Sequence, residues 1–276
     1  MKPNSITFGS APLTDAEADS LNATYLDDSH YDEDGSIPHE PTDVFKENGE
    51  LLLSYRPGAL SDSLCAEVLP ALRRAAKETH NRELAADGTV LSGIVGYYDP
   101  YPRWPYCRLT AFTRDDADGW RDVLRLIYRM DAVYRQALPG RHAVQRKFVE
   151  VTSRDFRIEG TAFTTATVNR NQRFKAHRDK GNLKLGTVVM SVPRAVGFTG
   201  CRFCMPKYKV GVTLREGDVI LFDGDEYHGN TAIVPTRDDY ERISVVCYYR
   251  SAMIRCGTAE AELEKAKRRK PGDPLR

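Results

Sequence analysis

The feature that most constrains the fold is a change of hydrophobic period near residue 158. Beyond it, the chain contains five short runs rich in β-branched and aromatic residues, separated by Gly, Pro and Asp: TAFTTATVNR, LGTVVMSV, YKVGVTL, DVILFD and RISVVCYYR. Runs of this length and composition, bounded by turn residues, are typical of β-strands. The second half of the chain is therefore predicted to form an all-β unit of the sandwich or barrel type.

Two amphipathic helices are predicted ahead of these strands and could cover one face of the β unit. Ser61 can cap the first helix, and Pro70 is expected to kink or divide it. The second helix covers 116–137 and stops at Pro139-Gly140. Their apolar positions recur at helical spacing and are Leu64, Val68, Leu72 and Ala76 in the first helix, and Trp120, Leu124, Ile127, Met130 and Tyr134 in the second.

These patterns divide the chain into three parts. Residues 1–48 are polar, acidic and without periodicity, which predicts a flexible N-terminal segment. Residues 49–255 are expected to form the folded domain, with a helical part at 59–140 and a β core at 150–255. Residues 256–276 read as a short helix that turns into a basic, frayed tail.

The net charge of +1 conceals a strong asymmetry along the chain. Residues 1–50 contain 12 Asp and Glu but only 2 Lys and Arg, so 27 acidic and 38 basic residues remain in 51–276. A basic body suits a polyanionic partner such as nucleic acid. The acidic segment is either a disordered tail or a competitor that folds back onto the basic surface.

Cysteine usage and hydropathy indicate a cytoplasmic protein. The six cysteines are scattered, so reduced thiols are expected, and Cys201 and Cys204 are interpreted as strand thiols because no second C-x-x-C completes a zinc site. No apolar run is long enough to span a bilayer, and the N-terminus lacks the apolar core of a signal peptide. We expect a monomer in the cytoplasm, without a membrane partner.

Two histidines and an aspartate form the main candidate site. His177 and Asp179 are two residues apart, so on a strand they share one face and can chelate a single ion. His228 follows the apolar strand DVILF, which a jelly roll brings alongside the first pair. Two imidazoles and one carboxylate form the facial triad that holds Fe(II) and leaves three coordination positions open for an oxoacid and O₂.

A possible anchor for the oxoacid follows on the next strand. Arg242 opens RISVVCYYR, and its guanidinium can bind a carboxylate through two hydrogen bonds. Ser244 lies on the same face and can add a hydroxyl donor. Taken singly, Asp179 can be a turn residue, His228 a loop histidine and Arg242 a surface charge. Their combination, in order and within a β-rich region, favours an oxygenase that uses 2-oxoglutarate.

Several ordered motifs resemble one known family. FTTATVNRNQRFKAHRDKGN, GDVILFDGDEYHGNT and ERISVVCYYR, with YCRLTAFTRD earlier in the chain, are similar to the TET/JBP family of DNA-base dioxygenases, especially its phage and kinetoplastid-like members. The resemblance covers roughly residues 90 to 250. It implies an α+β fold with a double-stranded β-helix (jelly-roll) core, N-terminal helices packed on one face, and Fe(II), 2-oxoglutarate and O₂ as reactants.

The resemblance also implies roles for individual residues. His177, Asp179 and His228 match the iron ligands, Arg242 and Ser244 match residues that bind 2-oxoglutarate, and Arg108 matches an arginine that holds its other end. Three residues match or are nominated for positions near the target base: Asn182, Tyr248 and Asn169. Arg170, Arg173, Lys175 and Arg178 are candidates for DNA phosphates, although each also suits a solvated surface.

The chain departs from the family pattern in ways that bear on the target base. Animal members carry a histidine where Arg250 stands, and their long cysteine-rich zinc-binding region is absent here. Kinetoplastid thymine hydroxylases tend to carry Asp where Asn182 stands, which tilts the expectation slightly toward cytosine. Arg250 is therefore included among the candidate substrate-binding residues.

The function expected from the sequence is hydroxylation of 5-methylcytosine in DNA to 5-hydroxymethylcytosine. A base inside a duplex hides its methyl group, so the target nucleotide must be flipped into a pocket. The alternatives are a thymine hydroxylase that makes 5-hydroxymethyluracil, a non-catalytic module that binds modified bases, and an oxygenase of a protein or small-molecule substrate.

Overall fold

Two β-sheets face each other, and helices cover the outer face of the larger sheet. The computed structural model describes residues 2–7, 11–32, 36–79 and 90–268. The strands are β1 Asn4–Thr7, β2 Ser36–Ile37, β3 Thr42–Phe45, β4 Leu51–Arg56, β5 Glu78–Thr79, β6 Val90–Tyr98, β7 Arg108–Leu109, β8 Thr165–Arg170, β9 Val188–Val196, β10 Phe198–Gly200, β11 Phe203–Met205, β12 Val210–Val212, β13 Val219–Phe222, β14 Gly229–Asn230, β15 Ile233–Pro235 and β16 Glu241–Tyr248. The helices are α1 Asp15–Ser20, α2 Asp62–Ala75, α3 Ala111–Asp115, α4 Ala117–Ala137, α5 Pro139–Val151 and α6 Ala259–Arg268, with 3₁₀ turns at Asp28–His30, Arg154–Phe156, Pro206–Tyr208 and Ser251–Arg255.

The sheets interleave strands that are distant in sequence. The larger sheet has the order β1-β3-β4-β13-β9-β16-β8-β6-β5, with β7 joined to β6, and the smaller sheet has the order β14-β11-β12-β2. β10 and β15 form a separate pair. Pairing is antiparallel except for β1 with β3 and β2 with β12. This arrangement is a double-stranded β-helix, so the predicted fold class is confirmed.

Alternation along the central strands separates the two faces of the larger sheet. Val168, Val189 and Val245 pack against α2 and α4 in one core cluster. Residues of the opposite face, such as Met190 and Phe222, pack against the smaller sheet in a second cluster. Because side chains alternate with a period of two, the face turned away from the helices points into the space between the sheets.

The helices agree with the sequence patterns at most positions. Helix α4 covers the predicted span, and Asp116 caps it by accepting a hydrogen bond from the backbone of Gly119 at 2.9 Å. Helix α2 runs through Pro70 without division, so the expectation that this proline divides the helix is wrong, whereas the expected kink stays a prediction. Buried residues on both sides of the proline pack into one core cluster. Helix α5 was not predicted: Pro139, read as a stop signal, is its first residue, a position that does not need a backbone N–H.

The N-terminal segment is also more ordered than its composition predicts. β3 pairs with β4 and β1 with β3, so 1–48 adds two strands to the larger sheet. Leu26 and Val44 are fully buried, which gives this polar segment enough apolar contact to fold. The expectation of a flexible 1–48 is therefore wrong for the described residues. The predicted helical part at 59–140 likewise contains β6, which pairs with β8 inside the sheet.

One pair of cysteines corrects the expectation of reduced thiols. Cys107 and Cys256 form a disulfide, whereas Cys65, Cys201, Cys204 and Cys247 are free and buried. Burial raises the pKa of Cys204 to about 12, which keeps this thiol protonated and agrees with its interpretation as a strand residue.

The C-terminal segment contains the expected helix, α6, and positions 269–276 of the predicted frayed tail lie outside the described residues. Within the described ranges, no helix has the length and apolar character needed to cross a membrane.

Candidate active site

A cavity of about 890 Å³ lies between the two sheets. Its floor follows β16, where every second side chain lines it: Arg242, Ser244, Val246 and Tyr248, continued by Arg250. These positions span roughly 26 Å at the usual rise of a strand. The side chains become more exposed along this line. Arg242 is 4% exposed, whereas the side chain of Arg250 is 30% exposed. The cavity is thus closed at the Arg242 end and open at the Arg250 end.

The three predicted metal ligands meet in this cavity. One ligand atom from each of His177, Asp179 and His228 lies within 4.8 Å of the other two. Nε2 of His177 is 3.7 Å from one carboxylate oxygen of Asp179, and Nε2 of His228 is 3.9 Å from the other. Among the described residues this is the one group of three or more such side chains close enough to share an ion.

Backbone carbonyls set the orientation of both imidazoles. Nδ1 of His177 lies 2.8 Å from the carbonyl oxygen of Lys175, and Nδ1 of His228 lies 2.9 Å from that of Glu226. A carbonyl oxygen only accepts, so Nδ1 carries a hydrogen in both rings, and Nε2 is the atom of each ring that can bind a metal at the shared centre. This arrangement is typical of metal-binding histidines, whose second nitrogen is fixed by a neighbouring acceptor.

The loop that carries His228 is held from outside the cavity. Nζ of Lys46 lies 2.8 Å from a carboxylate oxygen of both Asp223 and Glu226. Burial alone would lower the pKa of Lys46, but its hydrogen bonds to these carboxylates raise it above the usual value. Gly224 accepts a hydrogen bond from the backbone of Asp179 at 2.8 Å. A Cβ at residue 224 would lie 2.8 Å from Cγ2 of Val188 and 3.2 Å from the Asp179 side chain, so a larger residue there would force these side chains to shift.

The closed end of the cavity contains a buried cation. Arg242 has no carboxylate within ion-pair distance among the described residues, although its backbone N–H donates to Oδ1 of Asn171 at 2.7 Å. Ser244, at 2% exposure, lines the wall beside it, and Asn169 pairs with Ser244 across the neighbouring strand. A buried guanidinium without an anionic partner is costly, so this end is built to accept a carboxylate.

The open end contains polar and aromatic groups. The hydroxyl groups of Tyr248 and Thr167 lie 2.9 Å apart. Asn182 and Arg250 form an isolated antiparallel bridge, and both line the cavity. Arg250 also contacts Asp99, with 3.3 Å between Nε and a carboxylate oxygen. These groups can present hydrogen bonds and an aromatic ring to a planar, polar ligand.

Two predicted assignments do not agree with the structure. Arg108 does not line the cavity, and its guanidinium lies over the Tyr98 ring at 4.3 Å, because β7 extends beyond the end of the main sheet. Arg170 pairs with the buried Glu241 at 2.8 Å, so it is a structural cation instead of a phosphate ligand. The predicted metal ligands, Arg242, Ser244, Asn169, Asn182, Tyr248 and Arg250 lie in the cavity wall, as does Arg178 of the phosphate candidates. Arg173 and Lys175 do not line the cavity.

Several wall residues were missed in the sequence. Met190, Phe203 and Phe222 form apolar wall beside the histidines, and the alternation of β9 and β13 could have indicated the first and third. Asn22 comes from the N-terminal segment, whose backbone pairs next to His177: Ala23 donates to Ala176 at 2.8 Å and Ala176 to Thr24 at 2.8 Å. No periodicity in the sequence predicts this contact.

Comparison with known proteins agrees with this geometry. The profile of the Tet_JBP family, described as the oxygenase domain of the 2OGFeDO superfamily, matches residues 93–251. The bifunctional helicase and thymine dioxygenase JBP2 of Leishmania tarentolae is 34% identical over 80% of this chain and 20% of its own length. The thymine dioxygenase JBP1-A of Trypanosoma cruzi is 32% identical over 80% of this chain and 27% of its own length.

Solved structures extend the comparison of the fold. NgTET1 in complex with 5mC DNA superposes with a TM-score of 0.65 and 14% identity, over 97% of this chain and 91% of that chain. The chain spans about a fifth of the length of the JBP2 proteins it resembles. The family profile covers more than half of the chain and includes the whole His177–Asp179–His228 group and Arg242. The chain therefore belongs to the Tet_JBP family of 2OGFeDO-superfamily oxygenases.

Proposed function

We propose that the chain is an Fe(II)- and 2-oxoglutarate-dependent dioxygenase that oxidises the 5-methyl group of a pyrimidine base in DNA. The observation that carries the proposal is that a two-histidine, one-carboxylate group shares a cavity with a buried arginine that lacks a carboxylate partner. This combination suits an oxygenase better than a module that only binds modified bases, because a binding module needs neither part. Family membership supports DNA as the substrate.

The residues present fit the iron and its co-substrate. His177, Asp179 and His228 would hold Fe(II) through two Nε2 atoms and a carboxylate oxygen, a donor set that leaves positions open. When bound, the iron and 2-oxoglutarate supply the oxidising equivalent for C–H hydroxylation. Arg242 would hold the far carboxylate of 2-oxoglutarate with two parallel hydrogen bonds, and Ser244 would add a third donor.

Asn169 is better assigned to the co-substrate than to the base. It faces Ser244 across the strand pair, and its Oδ1 accepts a hydrogen bond from Ser92 at 2.7 Å. That bond fixes the orientation of the amide, so its Nδ2 group can donate to a different acceptor. The position at the Arg242 end suits a donor to 2-oxoglutarate instead of a contact with a base that enters at the other end.

The target base would enter at the open end. Tyr248 offers an aromatic face that replaces stacking lost from the duplex, and its hydroxyl is fixed by Thr167. Asn182 and Arg250 would contact the polar edge of the base. The iron ligands line the same cavity as these residues, so a methyl group on the bound base can point toward them.

Two DNA bases carry a 5-methyl group, and the Asn182 amide can pair with either. Its oxygen can accept from N4 of 5-methylcytosine or N3 of thymine, and its NH₂ can donate to N3 of the first or O4 of the second. The JBP relatives are named thymine dioxygenases, which favours thymine, whereas the amide is the feature that favoured 5-methylcytosine. The experiment must therefore distinguish two products, 5-hydroxymethylcytosine and 5-hydroxymethyluracil.

Product analysis tests the proposal and separates the two bases. The purified chain is incubated with Fe(II), 2-oxoglutarate and DNA that contains either 5-methylcytosine or only the four standard bases, and the digested nucleosides are identified by mass spectrometry. We expect a hydroxymethyl nucleoside from one of the substrates. If succinate forms while every base stays unchanged, the DNA assignment is wrong and a protein or small-molecule substrate replaces it. The monomeric state and the cytoplasmic location stay predictions.

A further inference from the structure

A short hairpin extends from the larger sheet at the open end of the cavity. β6 and β7 pair through Tyr98 and Arg108, and the tip between them closes through Tyr101 and Trp104, whose backbones exchange hydrogen bonds of 2.9 and 2.7 Å. We name residues 98–108 the aromatic hairpin. Its sequence, YDPYPRWPYCR, contains four aromatic side chains and two arginines.

The hairpin is fixed at both ends, and one of these contacts is at the cavity rim. On the incoming side, Asp99 contacts Arg250, which lines the open end. On the outgoing side, Cys107 is joined to Cys256 by a disulfide. Three prolines in the tip reduce its backbone freedom further. A surface attached in this way keeps its position relative to the cavity.

The tip presents an aromatic ring and a cation to solvent. Tyr101 is 60% exposed, compared with 46% for Tyr128 and 36% for Phe148. Arg103 is also exposed, and its guanidinium lies 5.9 Å from the centre of the Trp104 ring. No acidic residue occurs from 100 to 114, so the tip has a positive charge. Aromatic rings alternating with arginines are typical of surfaces that bind nucleic-acid strands.

We propose that the aromatic hairpin binds the DNA strand beside the target nucleotide, with Tyr101 stacked on a neighbouring base and Arg103 on a backbone phosphate. This inference rests on the proposed function. When a base leaves the duplex, the bases on either side lose a stacking partner, and an exposed ring at the rim of the receiving pocket can replace it. Phosphate binding by Arg103 would fix the strand in register with the cavity.

Binding measurements on the full chain test the inference. Tyr101→Ala and Tyr101→Phe are compared with Tyr128→Ala, because Tyr128 is 46% exposed on α4, the helix that packs on the sheet face turned away from the cavity. The probe is a fluorescent duplex with one methylated base, studied by anisotropy, together with 2-oxoglutarate binding followed by calorimetry. We expect Tyr101→Ala to weaken DNA binding at least about fivefold, the effect of one lost base–aromatic stack.

The other variants and the measurement of 2-oxoglutarate binding serve as controls. Tyr101→Phe keeps the ring and should bind DNA like the wild type, Tyr128→Ala should also do so, and all variants should bind 2-oxoglutarate equally. Equal DNA affinity of Tyr101→Ala and Tyr128→Ala would overturn the inference while leaving the proposed function intact. A wild-type chain that neither binds nor oxidises DNA would overturn both, and that result is read from the wild type alone.

Discussion

His177 and His228 are hydrogen-bonded to each other through their backbones, although 50 residues lie between them in the sequence. The N–H of each donates to the carbonyl of the other at 2.9 Å, and the two rings lie with their centres 4.4 Å apart. The cavity group is thus fixed by backbone pairing as well as by side-chain contacts. Removing one imidazole should affect the metal and leave the pairing in place.

We therefore expect His228→Ala to lose metal binding and turnover without unfolding. The remaining His177 and Asp179 provide only two of the three protein ligands, so Fe(II) affinity should fall well beyond the roughly 10–100-fold effect of losing an outer partner. The measurements are iron content after dialysis, product formation, and the thermal unfolding temperature.

His30→Ala is the matched control for this experiment. His30 contacts Asp27 at 2.9 Å and does not line the cavity. It should retain wild-type iron content and turnover. Full iron binding by His228→Ala would contradict the proposed metal site.

Arg242 is expected to lower the stability of the ligand-free protein while it supports binding of 2-oxoglutarate. Because the guanidinium is buried without a carboxylate partner among the described residues, Arg242→Met should stabilise the ligand-free protein by roughly 1–3 kcal/mol. The same change should weaken 2-oxoglutarate binding at least about tenfold, since charge-assisted hydrogen bonds are lost. Chemical unfolding with and without 2-oxoglutarate measures both effects.

A surface arginine separates this effect from a general loss of charge. Arg237 pairs with Asp239 at 2.6 Å, is more than half exposed and lies outside the cavity wall. Arg237→Met should change neither the stability by more than about 0.5 kcal/mol nor the 2-oxoglutarate affinity. If Arg242→Met bound 2-oxoglutarate as tightly as the wild type, the assignment of the closed end would be wrong.

Much of the site could be predicted because its residues follow local rules. The two-residue spacing of His177 and Asp179, and the alternation of Arg242, Ser244 and Tyr248, are properties of extended chain that tertiary structure preserves. What could not be predicted depends on long-range geometry. The disulfide joins cysteines 149 positions apart, and spacing alone does not indicate such a pairing.

Arg108 and Asn22 also show that long-range geometry limits prediction from the sequence. Arg108 was wrongly predicted to lie at the site, and Asn22 was missed. A motif match placed Arg108 near the co-substrate, but β7 pairs with the end of β6 at Tyr98, and Arg108 does not line the cavity. Asn22 belongs to a segment without periodicity, and it reaches the cavity because its neighbours Ala23 and Thr24 pair with Ala176, beside His177. Composition correctly indicated that 1–48 is acidic but not that it contains strands.

The charge cluster around Glu241 should make stability depend on acid pH. Glu241 is 4% exposed and contacts Arg73 at 2.6 Å and Arg170 at 2.8 Å. Burial alone would raise its pKa, but the hydrogen bond from Arg73 and the charge of Arg170 lower it below the ordinary 4.5. The folded state therefore gains stability above that ordinary value, and this gain is lost as the pH falls through and below it.

Glu241→Gln should remove this contribution. We expect a loss of roughly 2–5 kcal/mol near neutral pH, because three arginine side chains keep their charge without the buried carboxylate. Urea unfolding of both proteins from neutral to acid pH measures the difference, which should shrink as wild-type Glu241 protonates. A difference that stayed constant across this range would show that packing, not charge, is responsible.

The acidic N-terminal segment occupies basic groups beside the cavity, so it should compete with DNA for them. Asp19 pairs with Arg178, which lines the cavity, at 3.2 Å, and the ring of Tyr25 lies 4.7 Å from the cationic groups of both Arg173 and Lys175. These three cations are the candidates for DNA phosphates that remain after Arg170 is assigned to Glu241. The segment thus folds back onto the basic surface.

Asp19→Asn should free Arg178 and strengthen DNA binding by about two- to fivefold at low salt, the range of an exposed ion pair. The gain should shrink as salt is added, because screening weakens the pair in the wild type as well. Asp118→Asn is the control, since Asp118 pairs with Arg121 on the exposed side of α4 at 2.9 Å and should have no effect. Weaker DNA binding by Asp19→Asn would instead mean that Asp19 positions Arg178 for the phosphate, which makes the segment part of the binding surface and not its competitor.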